Sequence, residues 1–307
     1  MTRQPPSKWL PSYLAVVVLW GSSFAFIKLG LETLTPLGIA FGRTSIAAVT
    51  LLIISAITRT RLAPRRLWGF LLINGLLAAF IPWLLTAFAE NDISSALAAI
   101  VASTGPLFTL LAVFIAFPEE RPTRDRIIGL VVGFLGMLVV VGVWQGIGVA
   151  TGVGILACLA ANMIWSWSLP FSRRYLTGGA RASTLPPISL ATGMFATAAV
   201  VTVPLTIVMP VTKAPMTSMA IISILFLGVL SSGVAAVMNF RVIGRADATT
   251  ASTTLYLAPL VALIIGSTYL GETISWNEPV GGVIILLGAA LAQGLLRRPT
   301  QWVTPRG

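Results

Sequence analysis

The chain has 307 residues, of which 56% are hydrophobic and 9% charged, against about 25% charged in ordinary soluble domains, and this argues against a soluble globular fold. Histidine is absent and cysteine occurs once, at Cys158, so Ser-His-Asp hydrolysis, His-based metal sites, Cys/His zinc clusters and intrachain disulfides cannot be built, and no cofactor or metal is expected. The net charge of +11 would point a soluble protein toward nucleic acid; here the placement of the charges decides otherwise.

A bilayer core needs about 20 apolar residues per helix. The first such run, 11–29, follows Arg3 and Lys8 as a signal peptide would. It is long, contains Trp20-Gly21 and precedes no A-x-A cleavage pattern, so it reads as a retained helix. Further runs follow at 36–57, 67–88, 93–116 and 126–142. The glycine-rich stretch from Gly146 to Gly154 comes next. No strand precedes it, so it reads as a turn between halves and not as a nucleotide loop. The remaining runs are 152–172, 185–209, 218–240, 248–270 and 279–296. The fold class expected is therefore an all-α polytopic membrane protein with ten transmembrane helices.

With the N-terminus inside, seventeen of the twenty Lys and Arg residues fall in cytoplasmic segments; Lys28 and Lys213 fall outside, and Arg43 lies within a span. The positive-inside rule then predicts cytoplasmic termini and accounts for the basic balance as topology. The partners expected are the bilayer of the cell's inner membrane and a small-molecule substrate, with no nucleic acid. A monomer is compatible with everything in the sequence.

An internal repeat organises the chain. A shift of 153 pairs Ala98 with Ala251, Pro106 with Pro259, Leu107 with Leu260, Glu119 with Glu272 and Gly129 with Gly282; a shift of 145 pairs Trp20 with Trp165 and Ser23 with Ser168. The halves are 10–145 and 150–297, each with five spans. An odd number inserts the second copy upside down, and inverted repeats of this kind underlie alternating access around a midplane site.

The stretch from Leu19 to Lys28, Pro36 followed by Arg43, and the span carrying Ser103-Thr104-Gly105-Pro106-Leu107 with Glu119 and Arg121 after it resemble the EamA type of the drug/metabolite transporter superfamily, closest in type to bacterial amino-acid exporters. Ala258-Pro259-Leu260 with Gly271-Glu272-Thr273 matches in the second half. The resemblance implies ten helices, cytoplasmic termini and export of small metabolites. Two positions depart from the pattern: Pro118-Glu119-Glu120 lacks the usual glycine, and nothing in the second half answers Arg43.

Charge inside a membrane is costly and marks function or pairing. Arg43 lies about 10 Å from the outer end of its helix by helical rise, close enough for its stem to snorkel to the interface. The alternative is a contact to a substrate anion. All nine acids fall at or beyond span ends, so the sequence predicts transport without an embedded proton carrier. Lys28 and Arg173, also at span ends, read as solvated, and Glu119 and Glu272 as caps of helix connections. Trp9, Trp68, Trp144 and Trp276 fall at interfaces.

Trp20 and Trp165 lie mid-span, with Trp83 somewhat outward. Asn162 and Trp165 share a helical face, whereas Trp167 is rotated roughly 200° away. The substrate-binding set expected is thus Trp20, Ser23, Asn74, Trp83, Ser103, Asn162, Trp165 and Tyr256, with Pro106 and Pro259 as kinks that free carbonyls. Gly38-xxx-Gly42 and Gly129-xxx-Gly133 read as close helix contacts. The function expected is a secondary exporter of small metabolites, amino acids first and large or aromatic ones among them, with broad specificity. Nucleobases or cationic drugs are the alternative cargo. An enzyme acting on lipid is the further one, and it lacks acid-base residues.

Overall fold

A computed structural model describes residues 9–116, 124–142, 144, 149–177, 185–245 and 254–292. Apolar composition makes nearly every described stretch helical. In chain order the helices are α1 (Leu10–Gly30), α2 (Pro36–Ile57), α3 (Trp68–Gly75), α4 (Ile81–Ala89), α5 (Ser95–Ala102), α6 (Gly105–Ala116) and α7 (Arg124–Val141), then α8 (Val149–Ser172), α9 (Pro187–Val208), α10 (Ser218–Leu225), α11 (Ala235–Arg245), α12 (Thr254–Tyr269) and α13 (Asn277–Ala292). Several begin on the signals the sequence carries. Thr35, Ser94 and Thr217 cap α2, α5 and α10 by accepting the amides of Gly38, Leu97 and Ala220, and α2 and α9 start on proline.

Among the described residues, seven helical stretches are long and apolar enough to cross a membrane, and 257–269 and 277–291 are shorter apolar helices. α7 also runs 18 residues, its charged opening Arg124-Asp125-Arg126 included. The expected boundaries agree with these stretches to within a few residues, but the interiors differ. The stretch 65–89 is interrupted by a π-helical turn at Leu76–Phe80, and 218–239 by a longer one at Phe226–Val234. Pro106 does not kink a continuous helix. The chain breaks at Ser103-Thr104, and Pro106 occupies the second position of α6, where a missing amide is harmless. Pro259 does sit inside α12.

The helices of the two halves pair across the molecule. α1 lies along α12 and α11, α2 along α9 and the π turn at 226–234, α3 along α9, α4 and α6 along α8, and α7 along α13. Exchange of the halves returns much the same set of pairings. The α7–α13 pair is the closest. A Cβ on Gly288 would stand 2.5 Å from the Gly133 amide nitrogen and 2.7 Å from the Gly129 carbonyl, so backbone packs directly on backbone, as the small-residue spacing predicts. Gly21 does the same for α1 on α12, where a Cβ would meet the Ala258 carbonyl at 2.5 Å. Cys158 is buried in the core formed by Ala98, Val101, Leu107 and Ile285, a packing residue as expected.

Candidate substrate cavity

A cavity of about 310 Å³ opens where the cross-half pairs meet. α1 contributes Trp20, Ser23 and Phe24; α4 contributes Trp83 and Thr86; the break after α5 contributes Ser103; α8 contributes Trp165, and α12 Pro259. With Arg43 of α2, seven of the expected residues thus stand around one space although up to 239 positions separate them in sequence. Both π-helical turns also reach it, the first through Ala78 and the second through Ser231 and Ser232. A π turn widens the backbone spacing and re-aims the side chains that follow.

Arg43 supplies the charge. It does not snorkel: its side chain is 6% exposed and lines the cavity. Nε donates to Ser232 Oγ at 2.8 Å and Nη2 to Ser231 Oγ at 3.2 Å. The guanidinium lies 4.0 Å over the Trp83 ring, which itself stacks on Phe195 with centroids 5.7 Å apart. Two neutral hydroxyls and an indole face orient the cation without neutralising it, and a carboxylate entering the cavity would be its charged partner. Snorkelling fails because the second π turn brings two serines within reach of the guanidinium, a juxtaposition of residues 188 and 189 positions apart.

The remaining walls are mainly apolar and aromatic, with the hydroxyl residues Ser23, Thr86 and Ser103 among them. Trp20 Nε1 donates to the Ser231 carbonyl at 3.2 Å, which fixes the indole against the second π turn. Trp165 packs over Gly105, where a Cβ would lie 3.7 Å from its ring. Trp167 is 37% exposed on the outer apolar surface, so the rotation read from sequence separates the two tryptophans as expected. Ser23 and Ser103 bond back to their own helices, at the Trp20 and Ile100 carbonyls.

Asn74 and Asn162 do not line the cavity. Asn74 Nδ2 lies 3.1 Å from Met194 Sδ, and Asn162 Nδ2 donates to the Cys158 carbonyl at 2.9 Å and the Val101 carbonyl at 3.4 Å. The Asn162 amide donates between helices, the other way in which a buried amide is satisfied, whereas Asn74 Oδ1 has no hydrogen-bond partner among the described residues. Met194, beside Asn74, faces the cavity in its place. Glu119 and the side chains of Tyr256 and Arg173 lie outside the described residues.

Two charged residues differ from their sequence reading. Lys28 is not simply solvated; its Nζ donates to the carbonyls of Glu90 at 2.5 Å and Ile93 at 3.0 Å, closing the C-terminal end of α4. Glu90, at that end, is fully buried. Glu272 is a cap, as expected, but of a helix in the other half: it accepts the Ser95 amide at 2.7 Å and the Ala96 amide at 3.1 Å at the start of α5.

The sequence profile of the EamA-like transporter family matches residues 7–142 and again 152–293. The chain belongs to the EamA-like transporter family. The two matches restate the internal repeat as two copies of one family unit. Among curated relatives, the Uncharacterized transporter YdfC of Bacillus subtilis is 26% identical over 90% of this chain and 88% of its own length. The Uncharacterized inner membrane transporter YedA of Escherichia coli is 26% identical over 88% and 86%. A Probable terminal-alkyne amino-acid exporter of Streptantibioticus cattleyicolor is 25% identical over 93% of each chain. A crystal structure superposes with TM-score 0.66 at 21% identity, covering 96% of this chain and all of the other, a likeness of fold. Members of this family bear the name of transporters, so the EamA-like chain is a multi-pass membrane protein pointed toward transport and away from enzymatic chemistry.

Proposed function

We propose that this EamA-like protein is a secondary transporter of the inner membrane that exports small metabolites, chiefly amino acids and large or aromatic ones among them, with broad specificity and by alternating access. The observation that carries the reading is Arg43, a buried cation oriented by Ser231, Ser232 and Trp83 inside an otherwise aromatic and apolar cavity. A cation of this kind selects a carboxylate, and the tryptophan walls accept bulky side chains without selecting one. A cationic drug would meet Arg43 as a like charge. Ten spans arranged as two inverted five-helix repeats, with both termini cytoplasmic, complete the proposal. The skewed cation count and the two-fold pattern of helix pairing support it. The relative named as an amino-acid exporter supports the substrate class.

Counterflow of labelled amino acids in proteoliposomes tests this reading and needs no assumed energy source. Arg43→Ala should raise the half-saturating concentration roughly tenfold or more, the magnitude of a lost charge-assisted bond. Amines that share the side chain but lack the carboxylate should compete poorly. Equal competition by such amines would sink the carboxylate assignment. Competition by planar nucleobases without competition by amino acids would move the cargo to a class that the three indoles would also accept.

A further inference from the structure

Among the described residues, Glu90 is a fully buried acid whose placement neither the cavity nor the helix packing explains. It ends α4, its side chain is 0% exposed, and neither carboxyl oxygen has a hydrogen-bond partner among the described residues. Its own amide donates to the Thr86 carbonyl at 3.0 Å, and Thr86 lines the cavity, so Glu90 stands one helical turn, about 6 Å of rise, beyond the wall. A buried carboxylate with no donor is costly, and a buried carboxylic acid much less so. The charges that face it come from four elements. Lys28 of α1 reaches its backbone carbonyl, Arg43 of α2 sits on the cavity side, Glu272 follows α12, and the Cys158 thiol lies on α8. Glu90 follows Ala89, the last residue of its membrane-crossing stretch. Burial pushes its carboxyl well above the usual range, Lys28 and Arg43 pull it down, and Glu272 pushes it further up.

We propose that Glu90 is a proton-binding site linked through Arg43 to occupancy of the cavity, so that a substrate carboxylate and a proton bind together. The proposal rests on the reading of Arg43 as the carboxylate contact. With the cavity empty, the Arg43 charge stabilises ionised Glu90. A substrate carboxylate offsets that charge, ionised Glu90 is left with Lys28 as its one supporting cation against burial and Glu272, and the side chain takes one proton from water to become the neutral acid. Linkage is reciprocal, so protonated Glu90 strengthens carboxylate binding by the same factor. Affinity is therefore highest at low pH and falls as pH rises through the Glu90 titration. Bound together, proton and substrate cross together: the cytoplasmic substrate excess drives export, and flux persists when the proton gradient is collapsed.

The test is half-saturation of phenylalanine counterflow at matched internal and external pH, from acid to alkaline. The wild type should weaken by about fivefold or more across the range, and Glu90→Gln, a permanent mimic of the neutral acid, should show a flat profile. Purified wild-type protein in weakly buffered detergent should also take up protons when phenylalanine is added, a measurement that stands if the variant fails to fold. Wild-type counterflow with identical pH profiles in both proteins, or proton release on binding, overturns the linkage while leaving the transport reading intact. Absence of any amino-acid counterflow in the wild type overturns the transport reading, and the linkage with it.

Discussion

Arg43 shows how much one side chain depends on residues far away in the chain. Position within α2 allows either snorkelling or a cavity role, and the choice is made by Ser231 and Ser232 on the second π turn and by Trp83 on α4. The tryptophans of α8 are a sharper case at the same scale. Trp165 lines the cavity and Trp167, two residues on, is 37% exposed to the outside. Trp165→Ala should therefore cut counterflow severalfold by removing an aromatic wall, and Trp167→Ala at equal insertion should stay close to wild type. Equal damage from both, measured in the same liposomes, would mean that the α8 rotation is wrong. Asn162 carries the opposite lesson, since it shares the face of Trp165 but spends its amide on the Cys158 and Val101 carbonyls. Face sharing places a residue near a cavity, and the nearest acceptor decides whether it reaches in.

At the scale of elements, the contacts that matter most are those where helices of the two halves touch through glycine or are held by a cap. Gly288 on α13 meets Gly133 and Gly129 on α7 with no room for a Cβ. Association in a membrane depends on such packing, because lipid offers apolar side chains an equally good solvent. Gly288→Leu should separate the pair and lower the thermal midpoint of the purified protein markedly, whereas a leucine at Gly69, where a Cβ meets nothing within 4 Å, should be tolerated. Glu272 joins the loop after α12 to the first turn of α5 by accepting two amides and the Ser95 hydroxyl, the latter at 3.0 Å. Glu272→Ala leaves those donors buried without a partner and should cost about 1–2 kcal/mol, read as a fall in thermal midpoint. Glu272→Gln, which keeps one acceptor oxygen, should fall less.

For the whole molecule, the charge pattern is what predicts orientation. Cations concentrate in alternate connections, so cysteines placed at Arg61 and Arg298 in a chain lacking Cys158 should resist an impermeant thiol reagent applied outside intact cells. A cysteine at Gly148 should react. Labelling at position 61 from outside would reverse the topology, and with it the side from which Glu90 draws its proton.

The sequence by itself determined the helical class, the length and location of most spans, the duplication and the transporter family, because a bilayer admits only long apolar helices and each such span is written locally in twenty consecutive residues. It also identified Trp20, Trp83, Trp165 and Pro259, whose side-chain type within a span is itself the signal. Tertiary structure alone decided which polar groups face the cavity and which are spent on packing, as with Arg43 against Asn74 and Asn162. It alone placed the π turns at 76–80 and 226–234 beside the cavity, and it alone made Glu90 a buried acid when its position reads as a helix end. The reason is physical: span and topology follow from the cost of transferring each segment into lipid, a sum over neighbours in sequence. Burial, hydrogen-bond partners and charge state follow from which helix comes to lie alongside, and those neighbours are drawn from the other half of the chain.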